Sequence, residues 1–148
     1  MTMLCGSTAY QYAVSEAYYK AKTAYPNKAD ATRLKRAYDA LVCGSGVIRP
    51  GTLPGVYHVT VGHSYPVSRS MPHLPDWRCT CPDYCKLNKY GATYCKHVWC
   101  LLLHAKALVL MRESYYRQND VLLGNVLLAE QQRLADGDLV KKVCGIAQ

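Results

Sequence analysis

Cys79 and Cys81 stand one residue apart, as do Cys95 and His97, and thirteen residues separate the two pairs. Thiolates and imidazole are soft donors, and four of them fill the corners of a tetrahedral zinc ion, each close pair supplying two corners while the intervening loop lets the pairs meet. A cluster of unliganded thiols this dense would be reactive and would pack no better than alanine or valine. The ligand set expected from spacing is therefore Cys79, Cys81, Cys95 and His97, with zinc as the ion. Three thiolates and a neutral imidazole leave such a centre at a net charge of minus one, which a helix N-terminus favours. A centre with four protein ligands is closed and leaves no position for an activated water, so the expectation is a structural metal rather than an enzyme. Asp76 and Asp83 are the carboxylates nearest in sequence, too few for a two-metal hydrolytic site. No small-molecule substrate is expected.

Three more donors crowd the same stretch. His97, Cys100 and His104 fall on one helical face, and Cys85 lies in the loop. Cys100 or Cys85 could replace a ligand, or a second metal could bind. The plainer alternative makes Cys100 a core residue, His104 a hydrogen-bonded core or rim residue and Cys85 a loop residue. Cys5, Cys43 and Cys144 have no donors near them in sequence, and packing is their default. His58, His63 and His73 read as strand or loop residues; His63 could approach the metal.

The flanks of the ligands resemble the SWIM zinc finger. Pro82, Asp83 and Tyr84 follow the second cysteine as in that family's C-x-C-P-[DN]-aromatic run. Cys95-Lys96-His97 followed by Val98 is similar to its C-K-H-hydrophobic helix start, and Val56–Val61 to its first strand. The likeness spans Gly55 to Met111. It implies DNA binding, a common use of the finger in chromatin-remodelling ATPases and Mutator-type transposases. Alternatively, it implies protein-partner binding, as in recombination-protein assemblies and ubiquitin-pathway proteins.

Charge is compatible with the first use. The chain has 148 residues and a formal net charge of +8, and the excess lies mainly before Lys106. Arg69, Arg78, Lys86, Lys89 and Lys96 surround the finger with Tyr84, Tyr90 and Tyr94 interleaved. They are the candidate nucleic-acid contacts, lysines to phosphates and tyrosines to exposed bases. A basic excess also serves solubility alone. Eight cysteines in clustered spacing, behind a start, MTMLCGSTAY, with no basic and apolar leader, point to metal rather than disulfides and to an intracellular, reducing compartment. Val98–Met111 is too short for a membrane span and contains His104 and Lys106.

The elements that must position these residues follow from periodicity. Behind Ser7 as a cap, Tyr10, Ala13, Val14, Ala17, Tyr18, Ala21, Ala24 and Tyr25 form a helical stripe that Pro26 ends. Asn27 or Asp30 caps a second helix with Leu34, Ala37, Tyr38, Leu41 and Val42 inward and Gly44 at its end. Lys20, Lys22, Arg33, Lys35 and Arg36 form the opposite face of this hairpin, a solvated face or a nucleic-acid patch. Gly44–Gly46 and Arg49–Gly55 read as a connector. Val56–Val61 is a strand, a second short one is placed at Tyr65–Ser68, and Asp76–Cys81 is expected to pair back antiparallel to the first. A helix from Cys95 to about Arg117 is apolar nearly all round and so must be covered on every side. A last helix, capped by Asn119 or Asp120, runs through Leu123, Val126, Leu127 and Leu134 to near Gly137. The expected class is α+β and mostly helical: a helical hairpin (residues 7–48), a zinc-bound ββα finger (55–111) and a helical extension (112–148). With no Phe and 13 Tyr, tyrosine must supply the aromatic packing.

Overall fold

Tyr10, Ala13, Val14, Ala17 and Tyr18 lie at three- and four-residue steps on the first helix, α1 (Thr8–Ala24), and all five are buried. The computed structural model describes residues 8–69, 76–117, 128–130 and 132. In it this stripe meets that of α2 (Lys28–Cys43), whose Leu34, Ala37 and Leu41 are buried. Tyr18 stacks on Tyr38 with ring centroids 4.5 Å apart, and Ser15 Oγ lies 2.9 Å from the Tyr38 hydroxyl. Of the two possible caps, Asn27 is the one used: its Oδ1 accepts the Asp30 backbone N–H at 2.8 Å. Gly44 closes α2 at φ 81°, the left-handed geometry that only glycine enters freely.

The chain then forms one antiparallel sheet in the order β1 (Val47–Pro50), β2 (Val56–Val61), β3 (His63–Arg69), β4 (Trp77–Cys79). Three expectations are corrected. The presumed connector contains β1, a four-residue edge strand in which Ile48 pairs with Val59. It shows no alternation long enough to read, and Pro50 at its end suits only an edge. The strand that leads into the ligands pairs with β3, Val67 opposite Cys79, and not with β2. The reversal at Gly62, φ 80°, is so tight that β3 takes the place beside β2, leaving the next strand the outer position. β4 is also shorter than expected, so Cys81 lies past it in a turn.

The long helix α4 (Lys96–Arg117) runs through the middle. It packs against α1 and α2 on one side and the inner face of β2, β3 and β4 on the other. Val98, Trp99, Leu101, Leu103, Ala105, Ala107 and Leu108 are all at most 3% exposed, although they point around the whole circumference. The cover that an all-round apolar helix demands thus comes from the chain's own hairpin and sheet. Truncating Leu101 or Leu108 to alanine in such surroundings costs about 2–5 kcal/mol. Tyrosine does replace phenylalanine: Tyr10 and Tyr57 are buried, and Trp99 meets Tyr25 and Tyr94 edge to face, each with centroids 5.0 Å apart. The helical hairpin and the sheet share one hydrophobic core, with Tyr10, Leu34, Val59, Val67 and Leu108 all in it.

Leu128–Glu130 and Gln132 are helical, as the last expected helix requires. The rest of that helix, the Ser7 cap, Cys5, Cys144 and His73 lie outside the described residues. Among the described residues no helix is long and apolar enough to cross a membrane.

Candidate metal centre

Cys79 ends β4, and Cys81 follows in a turn that aims backbone N–H groups at sulfur. The Cys81 N–H lies 3.5 Å from Cys79 Sγ and the Tyr84 N–H 3.3 Å from Cys81 Sγ. Such donors favour thiolate over thiol. The loop beyond is ordered by a 3-10 turn (Tyr84–Lys86) and a single helical turn, α3 (Leu87–Tyr90), which Leu87 anchors in the core. Cys95 immediately precedes α4, and its carbonyl accepts the Trp99 N–H at 3.0 Å. Its sulfur therefore stands at the positive end of a 22-residue helix. His97 is in the first turn of α4.

All four ligand atoms lie within 4.8 Å of one another and all four residues are buried, so the cluster can hold a metal ion and is compatible with a zinc finger. Two observations test the fit. His97 Nε2 lies 3.1 Å from the His63 carbonyl, to which it donates, which fixes the tautomer and leaves Nδ1 with its lone pair free. That Nδ1 is buried and has no hydrogen-bond partner, so its lone pair is available to a metal ion. Secondly, the thiols are too crowded to ionise independently. Hydrogen bonds from Cys79 and Cys95 pull the Cys81 thiol far below its ordinary range. The same bonds, seen from their donors, push Cys79 up to about 11 and Cys95 higher still. A buried pocket bears one negative charge in this way; three thiolates need a cation.

The approach of His63 is thus by its backbone carbonyl, not its ring as the sequence allowed. Among the described residues no other group of metal donors assembles. Cys85 is exposed, Cys100 is buried in the core, and His104 is buried and hydrogen-bonded through Nδ1 to the Tyr10 hydroxyl. Cys43, for which packing was the default, is exposed at the end of α2, with its sulfur 3.0 Å from Ser45 Oγ.

Two residues of α2 with no expected role at the metal site hold the ligand segments in place. Arg33, expected on a face that is solvated or a nucleic-acid patch, is only 9% exposed. Its Nε and Nη2 donate to the two carboxylate oxygens of Asp83 at 2.8 and 2.6 Å, and Nη1 donates to the Ala29 carbonyl at 3.0 Å. Asp83 stands two residues past Cys81, so this fork fixes the first ligand pair. The hydrogen bond to Asp83 also raises the Arg33 pKa further. Asp30, fully buried, accepts the Thr93 N–H and hydroxyl, both at 2.8 Å, and the Asn27 side-chain N–H at 2.7 Å. Thr93 stands two residues before Cys95, so this contact fixes the second pair. Burial alone would push the Asp30 carboxyl up; the Thr93 and Asn27 hydrogen bonds outweigh it and hold the pKa below the ordinary value. The one readable signal was the Asn27-x-x-Asp30 spacing of a reciprocal cap.

The candidate nucleic-acid contacts are spread around this centre. Lys86 and Lys89 are exposed on the loop, and Lys96 is half-buried at the start of α4. Arg78 is exposed, its Nη2 3.5 Å from Asp76. Arg69 is half-buried and lies over the Trp77 ring, 5.2 Å from its centroid. No family model, no curated protein and no solved structure matches the chain.

Proposed function

We propose that the chain is a non-catalytic zinc module of the SWIM type that binds nucleic acid, DNA foremost, largely through backbone contacts. The Cys79–Cys81–Cys95–His97 cluster supports the metal half of this reading, since it joins a C-x-C turn to a C-x-H helix start around one buried point. Three sulfur donors and one imidazole are the set that zinc takes in closed structural sites. The ion would hold the two ligand pairs together and supply folding free energy, with no reaction of its own. The nucleic-acid half rests on Lys86, Lys89 and Lys96, which stand on or beside the loop between the pairs, and on the net charge of +8. Fluorescence-anisotropy titration with single- and double-stranded DNA at low salt tests it. Absence of binding to either would discard the nucleic-acid half and leave the metal half standing.

A protein-interaction adaptor is the second reading. Apolar helices are the surfaces such a partner would use, and α4 offers it little because that helix is covered within the chain. What favours it instead is the outer face of α1, where Tyr12 and Tyr19, two turns apart, are 73% and 62% exposed. A pull-down with and without nuclease separates direct protein partners from shared DNA.

A further inference from the structure

Between α2 and the loop that joins the ligand pairs runs an open groove of about 520 Å³. Lys28, Thr32 and Arg36 form one wall, and Tyr90 the other; the Arg33–Asp83 pair lies between them. The wall residues recur every fourth position, so they make a stripe along α2 that spans about 12 Å. Other cations of the hairpin have partners within their own helix: Lys22 lies over the Tyr18 ring, 5.9 Å from its centroid. Lys20 faces Glu16 at 3.5 Å and Lys35 faces Asp39 at 2.9 Å, each four residues away. Lys28 and Arg36 form no ion pair with any described residue. The carboxylate in the groove, Asp83, is already bound by the Arg33 fork, which mutes its repulsion of an anion.

Tyr90 is half exposed, although most large apolar side chains among the described residues are covered. At the end of α3 it is restrained by two cations, the Arg33 guanidinium 5.5 Å and the Lys89 ammonium 5.8 Å from its ring centroid. A cation seated at an aromatic ring restricts it without covering it entirely. An exposed, restrained ring opposite two cations that form no ion pair among the described residues is an arrangement that can take an unstacked base on the ring while its phosphates lie along the cations. A duplex keeps its bases stacked inside and could offer this groove only its backbone.

We propose that this groove is a subsite for single-stranded nucleic acid, with Tyr90 as the stacking platform and Lys28 and Arg36 as the phosphate contacts. The proposal rests on the nucleic-acid reading above and narrows it to the unpaired strand.

The test is anisotropy titration of the zinc-loaded chain with a short oligothymidine, an abasic strand of the same length and a duplex, all at low salt. Tyr90→Ala should weaken oligothymidine binding by about tenfold or more and leave the duplex unchanged. Tyr90→Phe should bind like the parent, and Arg36→Glu should weaken both strands. The parent should bind the abasic strand about as poorly as Tyr90→Ala binds oligothymidine. Zinc content and the circular-dichroism spectrum, unchanged in every variant, exclude misfolding as the cause. If the parent binds oligothymidine while Tyr90→Ala and Arg36→Glu bind it equally well, the groove proposal fails and the broader reading survives. Equal binding of abasic and normal strands, or full displacement by polyglutamate at matched charge, would overturn it in favour of an acidic ligand held by charge alone. If the parent binds neither strand, the broader reading falls and takes this one with it.

Discussion

Arg33 and Asp83, fifty residues apart in sequence, meet in a two-pronged ion pair with N–O distances of 2.8 and 2.6 Å. Arg33 is mostly buried, so the contact is shielded from solvent in a way that surface pairs are not. Removing one partner leaves the other charge poorly solvated, which is more harmful than removing both. Arg33→Met and Asp83→Asn should each destabilise the fold, and the double variant should lose less than their sum. A coupling of about 1–3 kcal/mol in urea melts is expected. Strict additivity would mean that the fork does not hold the first ligand pair.

Asp30 makes stability depend on pH. Its carboxyl pKa is lowered in the fold from the ordinary 3.8. A depressed folded value means that the contribution is complete above the unfolded value and is lost as pH falls through the folded one. Asp30→Asn should therefore be less stable than the parent at neutral pH, by about 2 kcal/mol for hydrogen bonds to a buried charge. The gap should narrow as pH drops below the unfolded value. Comparing the two proteins by thermal melts across that range cancels the shared loss of metal in acid. A gap that widens in acid would contradict the assignment.

For the metal, one zinc per chain is expected by elemental analysis in reducing buffer. Chelation should unfold the region around the ligands, since small zinc sites contribute on the order of 10 kcal/mol. Cys79→Ser, Cys81→Ser, Cys95→Ser and His97→Ala should each lose the ion. Cys85→Ser should keep it, and Cys100→Ala should keep it with a loss of about 1 kcal/mol from packing. Zinc lost from Cys85→Ser as readily as from Cys81→Ser would mean a different ligand set.

Binding to DNA should be weak, electrostatic and largely blind to sequence. If about four phosphates are neutralised, the slope of log affinity against log salt should be about −3 to −4. Reversing Lys86 and Lys89 to Glu should lower affinity on every sequence tried and flatten that slope, at constant zinc content. A preference for one duplex sequence that survives this double reversal would require a base-reading helix, which apolar α4 does not offer.

The ligand cluster could be read from sequence because soft donors in close pairs have few other uses, and α4 because a run of apolar residues that long has no strand alternative. The supports of the cluster could not. Arg33 belongs by spacing to a basic helix face, and only the distant arrival of Asp83 turns it inward. Asp30 looks like an ordinary cap residue, and nothing in its neighbourhood announces Thr93, sixty-three residues on. β1 was hidden for a different reason. A four-residue edge strand ending in proline is defined by its partner, β2, rather than by its own pattern.

The two clasps on α2 also set a clock. Closing the loop between the ligand pairs involves thirteen residues, whereas the contacts of Arg33 and Asp30 close spans of fifty and sixty-three. Loop closure penalises the long spans more and delays them. An incoming ion would therefore meet a locally formed nest first, and the helical hairpin would shut over it afterwards. On the same reasoning, departure would begin with release of the Arg33–Asp83 and Asp30–Thr93 contacts. Zinc transfer to a strong chelator should then proceed at a rate that no longer rises with chelator concentration, because the release of those contacts governs the exchange.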